Sequence, residues 1–298
     1  MKKVIVILGQ TATGKSVLAV KIAKKVNGEI ISADSRQVYK GLDIGTGKIT
    51  KKEMKGVRHH LLDIAKPKNK FTVALYQKKA IYAIAEIIKR GKIPIIVGGT
   101  GFYIDAVTKN IVFPEVPPNL KLRKTISKLD GRQLLMLLKK LDSHRAQNID
   151  PNNRVRLIRA IEIVEAIGKV PEIIEGSPQY KFIKIGLYLP PEKLEKKIEI
   201  RVKKMFKDGL VKEIKKLKKP ARLGGAGVSN KRLKEFGFEY FNSTPEKVIK
   251  ETIKYAKRQM TWFKREKKIR WFDASKPINL KRNIISVKIN ELKKQNKS

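Results

Sequence analysis

The 298-residue chain sets 69 Lys and Arg against 27 Asp and Glu, a formal net charge of +42, with 41% hydrophobic residues, three histidines and no cysteine. This excludes a wholly disordered chain, disulfides, thiolate metal centres and a cysteine nucleophile, and disfavours a histidine-built metal site. A charge this large self-repels and is most simply offset by a polyanion, the competing account being the Lys-loaded surface of an AT-rich or hyperthermophilic source. Apolar runs at 3–8, 29–32, 93–97, 182–189 and 269–272 read as strands, the first and third continuously apolar as in strands covered on both faces. Amphipathic stretches at 15–26, 71–90 and 192–219 alternate with them, which predicts a doubly wound parallel α/β sheet. Between about 112 and 180 the alternation stops: prolines at 114, 117 and 118 lead into helical patterns at 120–129, 131–141 and 153–167 with no strand-like run. The expected organisation is a core domain of 1–112 and 179–298, interrupted by a helical insertion at 113–178. The glycine-rich segment 220–230 is expected to be a mobile loop and residues 293–298 a polar tail. No apolar run approaches the roughly 18 residues of a membrane span, so a cytoplasmic protein without membrane contact is expected.

Residues 9–16, GQTATGKS, match the pattern G-x-x-x-x-G-K-[ST] directly after the first strand and before a helix. Gly9 and Gly14 permit a tight turn, so that the backbone N–H groups of Gln10, Thr11, Ala12 and Thr13 point at a phosphate cluster. The helix N-terminus adds its dipole, Lys15 a point charge and the Ser16 hydroxyl a ligand for Mg²⁺. The expected fold is therefore of the P-loop NTPase type. The loop announces a di- or triphosphate without saying which molecule carries it. Nucleotide-hydrolysing relatives also need a buried strand ending in an acid. Here the run 93–97 ends in Gly98-Gly99-Thr100-Gly101, which argues against an ATP-driven motor.

The second strand ends in Ala33-Asp34-Ser35-Arg36-Gln37. Ligands of open α/β sheets bind at the carboxyl ends of strands, so Asp34 belongs on the same rim as the phosphate loop. It is a candidate general base, with Thr100 a hydrogen-bond donor on the next loop and Ser35, Arg36 and Gln37 able to grip a polar substrate. His59 and His60 lack metal-like partners and read as hydrogen-bonded structural residues. Tyr255, Met260 and Trp262 read as core at helical spacing, although basic residues flank them. Lys121, Lys124 and Lys128 read as solvated.

Taken together, GQTATGKS at Gly9, ISADSRQVYKGLDIGTGK from Ile31, HHLLDI at His59, PIIVGGTGFYI from Pro94, DPNNRVRLIRAIEI from Asp150 and AKRQMTWFKR from Ala256 resemble the tRNA dimethylallyltransferase (isopentenyl-tRNA transferase) family of bacterial type. The segments run in family order over nearly the whole chain. One stretch departs: where the family usually has Gly-Tyr-Lys-Glu, this chain reads Phe236-Gly237-Phe238-Glu239-Tyr240. The resemblance implies transfer of a dimethylallyl group from dimethylallyl diphosphate to the exocyclic amine of an adenosine beside the anticodon, with Mg²⁺ as cofactor. Asp34, Thr100 and Lys15 would be catalytic, and residues 9–16 would hold the diphosphate. It also implies that Asp34, Ser35, Arg36, Gln37, Thr100, Arg123, Asn152, Asn153, Arg154, Val155 and Arg156 contact the tRNA anticodon stem-loop. Arg159 with Glu162 can instead be a plain i,i+3 surface pair. A monomer is expected. Two alternatives stay open: a small-molecule or nucleoside kinase on the same core, and a non-catalytic RNA-binding ATPase.

Overall fold

The computed structural model describes residues 1–172, 174–241 and 243–277; the predicted polar tail lies outside them. The strands, in chain order, are β1 (Lys3–Gly9), β2 (Gly28–Ala33), β3 (His59–His60), β4 (Ile93–Gly98), β5 (Ile111–Val112), β6 (Ile174–Glu175), β7 (Lys181–Tyr188) and β8 (Arg270–Asp273). Six of them form one sheet in the order β3-β2-β4-β1-β7-β8, parallel at every pairing. Register sets Ile5 opposite Ile95 and Ile7 opposite Val97, and successive side chains alternate between two cores. Val4, Val6, Leu8, Ile31 and Ile96 face the helices Val73–Lys89 and Gly101–Thr108, whereas Ile5, Ile7, Ile30, Ile95 and Val97 face the helix Lys15–Val26. Burial on both faces is why β1 and β4 read as unbroken apolar runs.

Several details differ from the sequence expectations. At two residues, β3 is too short to show a periodicity. The stretch 192–219 is two helices, Pro191–Lys207 and Leu210–Lys218, because Gly209 adopts a φ of +105° and turns the chain between them. The segment expected to be a mobile loop folds back in a short 3₁₀ turn, Ala221–Leu223. Gly227 N–H donates to the Lys219 carbonyl at 2.8 Å and Val228 N–H to that of Leu217 at 2.9 Å, with Val228 buried. Two further helices, Asn230–Phe236 and Pro245–Phe263, complete the elements that matter for the site.

The chain divides into two compact units, one of them Asn110–Ser177 and the other the remainder. The smaller unit packs the helices Leu120–Ile126, Gly131–Leu141 and Arg154–Ile167 around Leu134, Leu138, Leu157 and Ile161. It also contains an antiparallel ribbon, β5 with β6, which the strandless reading of this region missed.

Candidate active site

The phosphate loop leaves β1 at Gly9, whose φ is +130°, passes Ala12 at +61° and enters its helix after Gly14 at +83°. Thr13 Oγ1 donates to the Gln10 carbonyl at 2.7 Å, and Lys15 Nζ donates to the same oxygen at 2.5 Å. Burial lowers the Lys15 ammonium to a pKa of about 7; the Arg201 guanidinium pushes it the same way and Asp34 opposes them. A cavity of about 290 Å³ opens over this loop, lined among others by Lys15, Ser16, Asp34, Arg36, Arg201 and Tyr255. Three cations face one space, which suits a multiply charged anion.

Across the cavity, Asp34 follows the end of β2 and turns the backbone. Its Oδ1 accepts the N–H of Arg36 at 2.9 Å and that of Gln37 at 3.4 Å. Ser35 N–H donates to Thr100 Oγ1 at 3.0 Å, which joins the loops after β2 and β4. Thr100 is also hydrogen-bonded to Tyr255, whose hydroxyl is raised to about 12, chiefly by burial and then by Asp34, so the phenol stays neutral. Arg36 reaches Glu239 at 2.5 Å; burial disfavours its charge, but Glu239, Tyr255 and Asp34 outweigh burial and raise its pKa. Gln37 Nε2 and Arg201 Nη2 both donate to the Thr46 carbonyl, at 3.3 and 3.2 Å. The fold thus brings the phosphate loop, Asp34, Ser35, Arg36, Gln37 and Thr100 to one rim.

Five residues of the rim were not singled out from the sequence, or were misjudged. Arg201 is a lone cation within the buried stripe Ile198, Val202 and Met205 of its helix, and that interruption is the signal that could have found it. Thr252, Tyr255 and Gln259 recur at helical spacing on Pro245–Phe263 and all line the cavity, so Tyr255 is a wall residue and not the core residue expected. Gln259 Oε1 accepts the Thr11 N–H at 2.8 Å while its Nε2 donates to the Gly99 carbonyl at 2.9 Å, which ties the phosphate loop to the loop after β4. Glu239 sits buried in the departing stretch. Trp262 does pack inward, its Nε1 donating to Asp105 Oδ2 at 2.9 Å. His59 and His60 are hydrogen-bonded as expected, to the Val57 carbonyl at 2.8 Å and to Glu29 at 2.6 Å.

The remaining predicted residues belong to the smaller unit. Arg123 forms a two-pronged pair with Glu162 at 2.5 and 2.6 Å, and Arg159 adds a third contact at 3.3 Å. The Glu162 side chain is 0% exposed, so this is a buried network and not the surface pair that sequence spacing allowed. Arg154 donates to the carbonyls of Ser127 and Leu129 at 3.1 and 2.6 Å. Asn153 caps the helix by accepting the Arg156 N–H at 3.2 Å, whereas Asn152, Val155 and Arg156 are exposed.

A family model described as IPP transferase matches residues 37–266. The tRNA dimethylallyltransferase of Caldanaerobacter subterraneus is 42% identical over 288 residues, 91% of this chain and 91% of that protein. Its counterpart in Carboxydothermus hydrogenoformans is 41% identical over 290 residues, 92% and 93% of the two chains. The crystal structure of the full-length tRNA isopentenylpyrophosphate transferase of Bacillus halodurans aligns over 100% of both chains, with a TM-score of 0.69 and 35% identity. A eukaryotic dimethylallyltransferase acting on tRNA aligns at a TM-score of 0.80 and 28% identity over 97% of this chain and 78% of that one. These neighbours share the P-loop NTPase-like core described above. Sequence likeness of this degree along nine-tenths of its length means that the chain belongs to the tRNA dimethylallyltransferase, or IPP transferase, family.

Proposed function

We propose that this prenyltransferase moves the dimethylallyl group of dimethylallyl diphosphate onto the exocyclic amine of the adenosine 3′-adjacent to the anticodon in tRNA. The observation that carries this reading is the cavity in which Asp34 faces the Lys15 phosphate loop. The adenine amine is a weak nucleophile because its lone pair is delocalised into the ring. As its nitrogen bonds to the allylic carbon, the carbon–oxygen bond to diphosphate breaks and the amine's proton passes to the Asp34 carboxylate. Charge gathers on the departing diphosphate, where the loop amides, Lys15 and Arg201 stabilise it. Thr100 and Tyr255 supply neutral hydroxyls beside the amine.

Mg²⁺ fits this donor set. The Ser16 hydroxyl lines the cavity, and such ions take few protein ligands, filling their shell with phosphate oxygens and water. When bound there, the ion neutralises charge on the diphosphate. The purine must leave its stack to reach the cavity, which costs less in a strained loop than in a duplex. Asp34, Ser35, Arg36, Gln37 and Thr100 on the rim, with Arg123 and residues 152–156 of the smaller unit, are the proposed tRNA contacts. The enzyme is proposed to act as a cytoplasmic monomer. Neither the kinase nor the ATPase reading is supported by the relatives, and β4 ends without the acid that a nucleotide-hydrolysing ATPase would use.

Incubation with labelled dimethylallyl diphosphate and bulk tRNA, followed by nucleoside analysis, should yield labelled N6-dimethylallyladenosine. Phosphate transfer from ATP with no labelled nucleoside would favour the kinase instead.

A further inference from the structure

A carboxylate in a cavity that receives an anion opposes that binding, so Glu239 needs a reason to line it. Two carboxylates, Asp34 and Glu239, share the space with three cations. Arg36, two residues from Asp34, is by proximity the natural ion-pair partner of that carboxylate. Its guanidinium pairs with Glu239 instead: Nη1 donates to Glu239 Oε2 at 2.5 Å, and the charge lies 5.9 and 5.4 Å from the ring centres of Phe238 and Tyr255. Each of the other two cations is tethered elsewhere as well, Lys15 to the Gln10 carbonyl and Arg201 to that of Thr46. Asp34 accepts backbone N–H groups and forms no ion pair among the described residues. The Arg36–Glu239 pair lies against Gly237, where a Cβ would stand 2.8 Å from both Nη1 and Oε2. The side chains are 19% and 5% exposed, so water competes weakly for the pair. Gly237, Phe238 and Glu239 belong to the stretch 236–240, where the chain departs from the usual family sequence.

We infer that Glu239 is a positioning residue that draws the Arg36 guanidinium away from Asp34 and so keeps the Asp34 carboxylate free to accept the amine proton. The inference rests on Asp34 acting as the base. Without Glu239, Arg36 pairs with Asp34. A cation at that range lowers a carboxyl pKa by about 1–3, and a weaker, occupied base accepts a proton more slowly. The other groups facing Asp34 are Lys15 from the phosphate loop, Arg201 from Pro191–Lys207, Tyr255 from Pro245–Phe263, and Tyr76 and Tyr103 from beneath. None of them changes in the test.

The test measures kcat, both KM values and the acid limb of the kcat–pH profile on the full chain with saturating tRNA and dimethylallyl diphosphate. Glu239→Gln should lower kcat about tenfold and move the acid limb to lower pH by about 1 or more, with donor KM within about threefold of wild type. The double variant Arg36→Gln/Glu239→Gln binds tRNA less well, yet at saturation should turn over several-fold faster than Glu239→Gln alone. A purely structural role predicts the reverse, with the double variant no faster and the acid limb unmoved; either result, or wild-type kcat in Glu239→Gln, overturns the inference. If Glu239→Gln does not fold, Glu239→Asp keeps the charge at shorter reach and should show the same limb shift at reduced size, its absence counting against the proposal. Asp34→Asn is the control: if it turns over normally, the base assignment itself fails and this inference with it. If Asp34→Asn is inactive while Glu239→Gln behaves as wild type, only the inference fails.

Discussion

Lys15 sits where burial and Arg201 hold its ammonium at a pKa of about 7, so near neutral pH the free protein carries it partly deprotonated. A diphosphate in the cradle favours the charged form and raises that pKa. The linkage has one sign: affinity for the anion is full below about pH 7 and declines as pH rises through it, with proton uptake on binding. Calorimetry of inorganic diphosphate at pH 8 in buffers of different ionisation heat should find nearly one more proton taken up by wild type than by Lys15→Met. Equal uptake in the two proteins would mean that Lys15 does not sense the ligand. Lys15 and Ser16 were legible because their chemistry is contiguous, an eight-residue pattern with its mechanism in the local backbone. Asp34 was legible by topology, as a carboxylate at a strand end. Arg201, Glu239 and Gln259 were not, because each lies more than 160 residues from Asp34 and enters the site only through the way its own segment packs.

Among the elements, the helix Pro245–Phe263 does the most to shape the rim. Its Thr252, Tyr255 and Gln259 face the cavity while Val248, Ala256 and Phe263 are buried in apolar packing. Gln259 is the strut between the phosphate loop and the loop after β4, and the amide is the group that serves, since one end must accept from Thr11 and the other donate to Gly99. Gln259→Leu leaves both backbone groups unpaired. It should lower kcat about tenfold or more by loosening the approach of the two reactants, and cost about 1–3 kcal/mol of stability. Denaturant unfolding and single-turnover kinetics read the two effects, and wild-type values in both would remove the strut from the account. The elements themselves were legible where burial imposes a period: Lys15–Val26 and Gly131–Leu141 fall on the predicted boundaries. The break at Gly209 was hidden because the amphipathic pattern continues across it. The β5–β6 ribbon was hidden because two residues per strand carry no alternation.

At the scale of the molecule, the interruption of strand–helix alternation near residue 112 was the most informative long-range signal, and a separate compact unit begins at Asn110. The net charge of +42 is the other. If it serves RNA binding, the affinity for tRNA should fall steeply with salt, log K declining against log salt with a slope near −0.7 to −0.9 for each phosphate neutralised. A filter-binding series from low to moderate salt measures it, and a flat plot would assign the excess charge to solvated surface. What unites these scales is a single chamber in which, under the proposed function, a prenyl diphosphate and a purine amine meet beside Asp34. Single-turnover transfer by Asp34→Asn, measured together with its tRNA affinity, tests that most directly. The account predicts a rate lower by about 10²–10⁴ with tRNA binding nearly unchanged, and a variant that prenylates tRNA at the wild-type rate would contradict it.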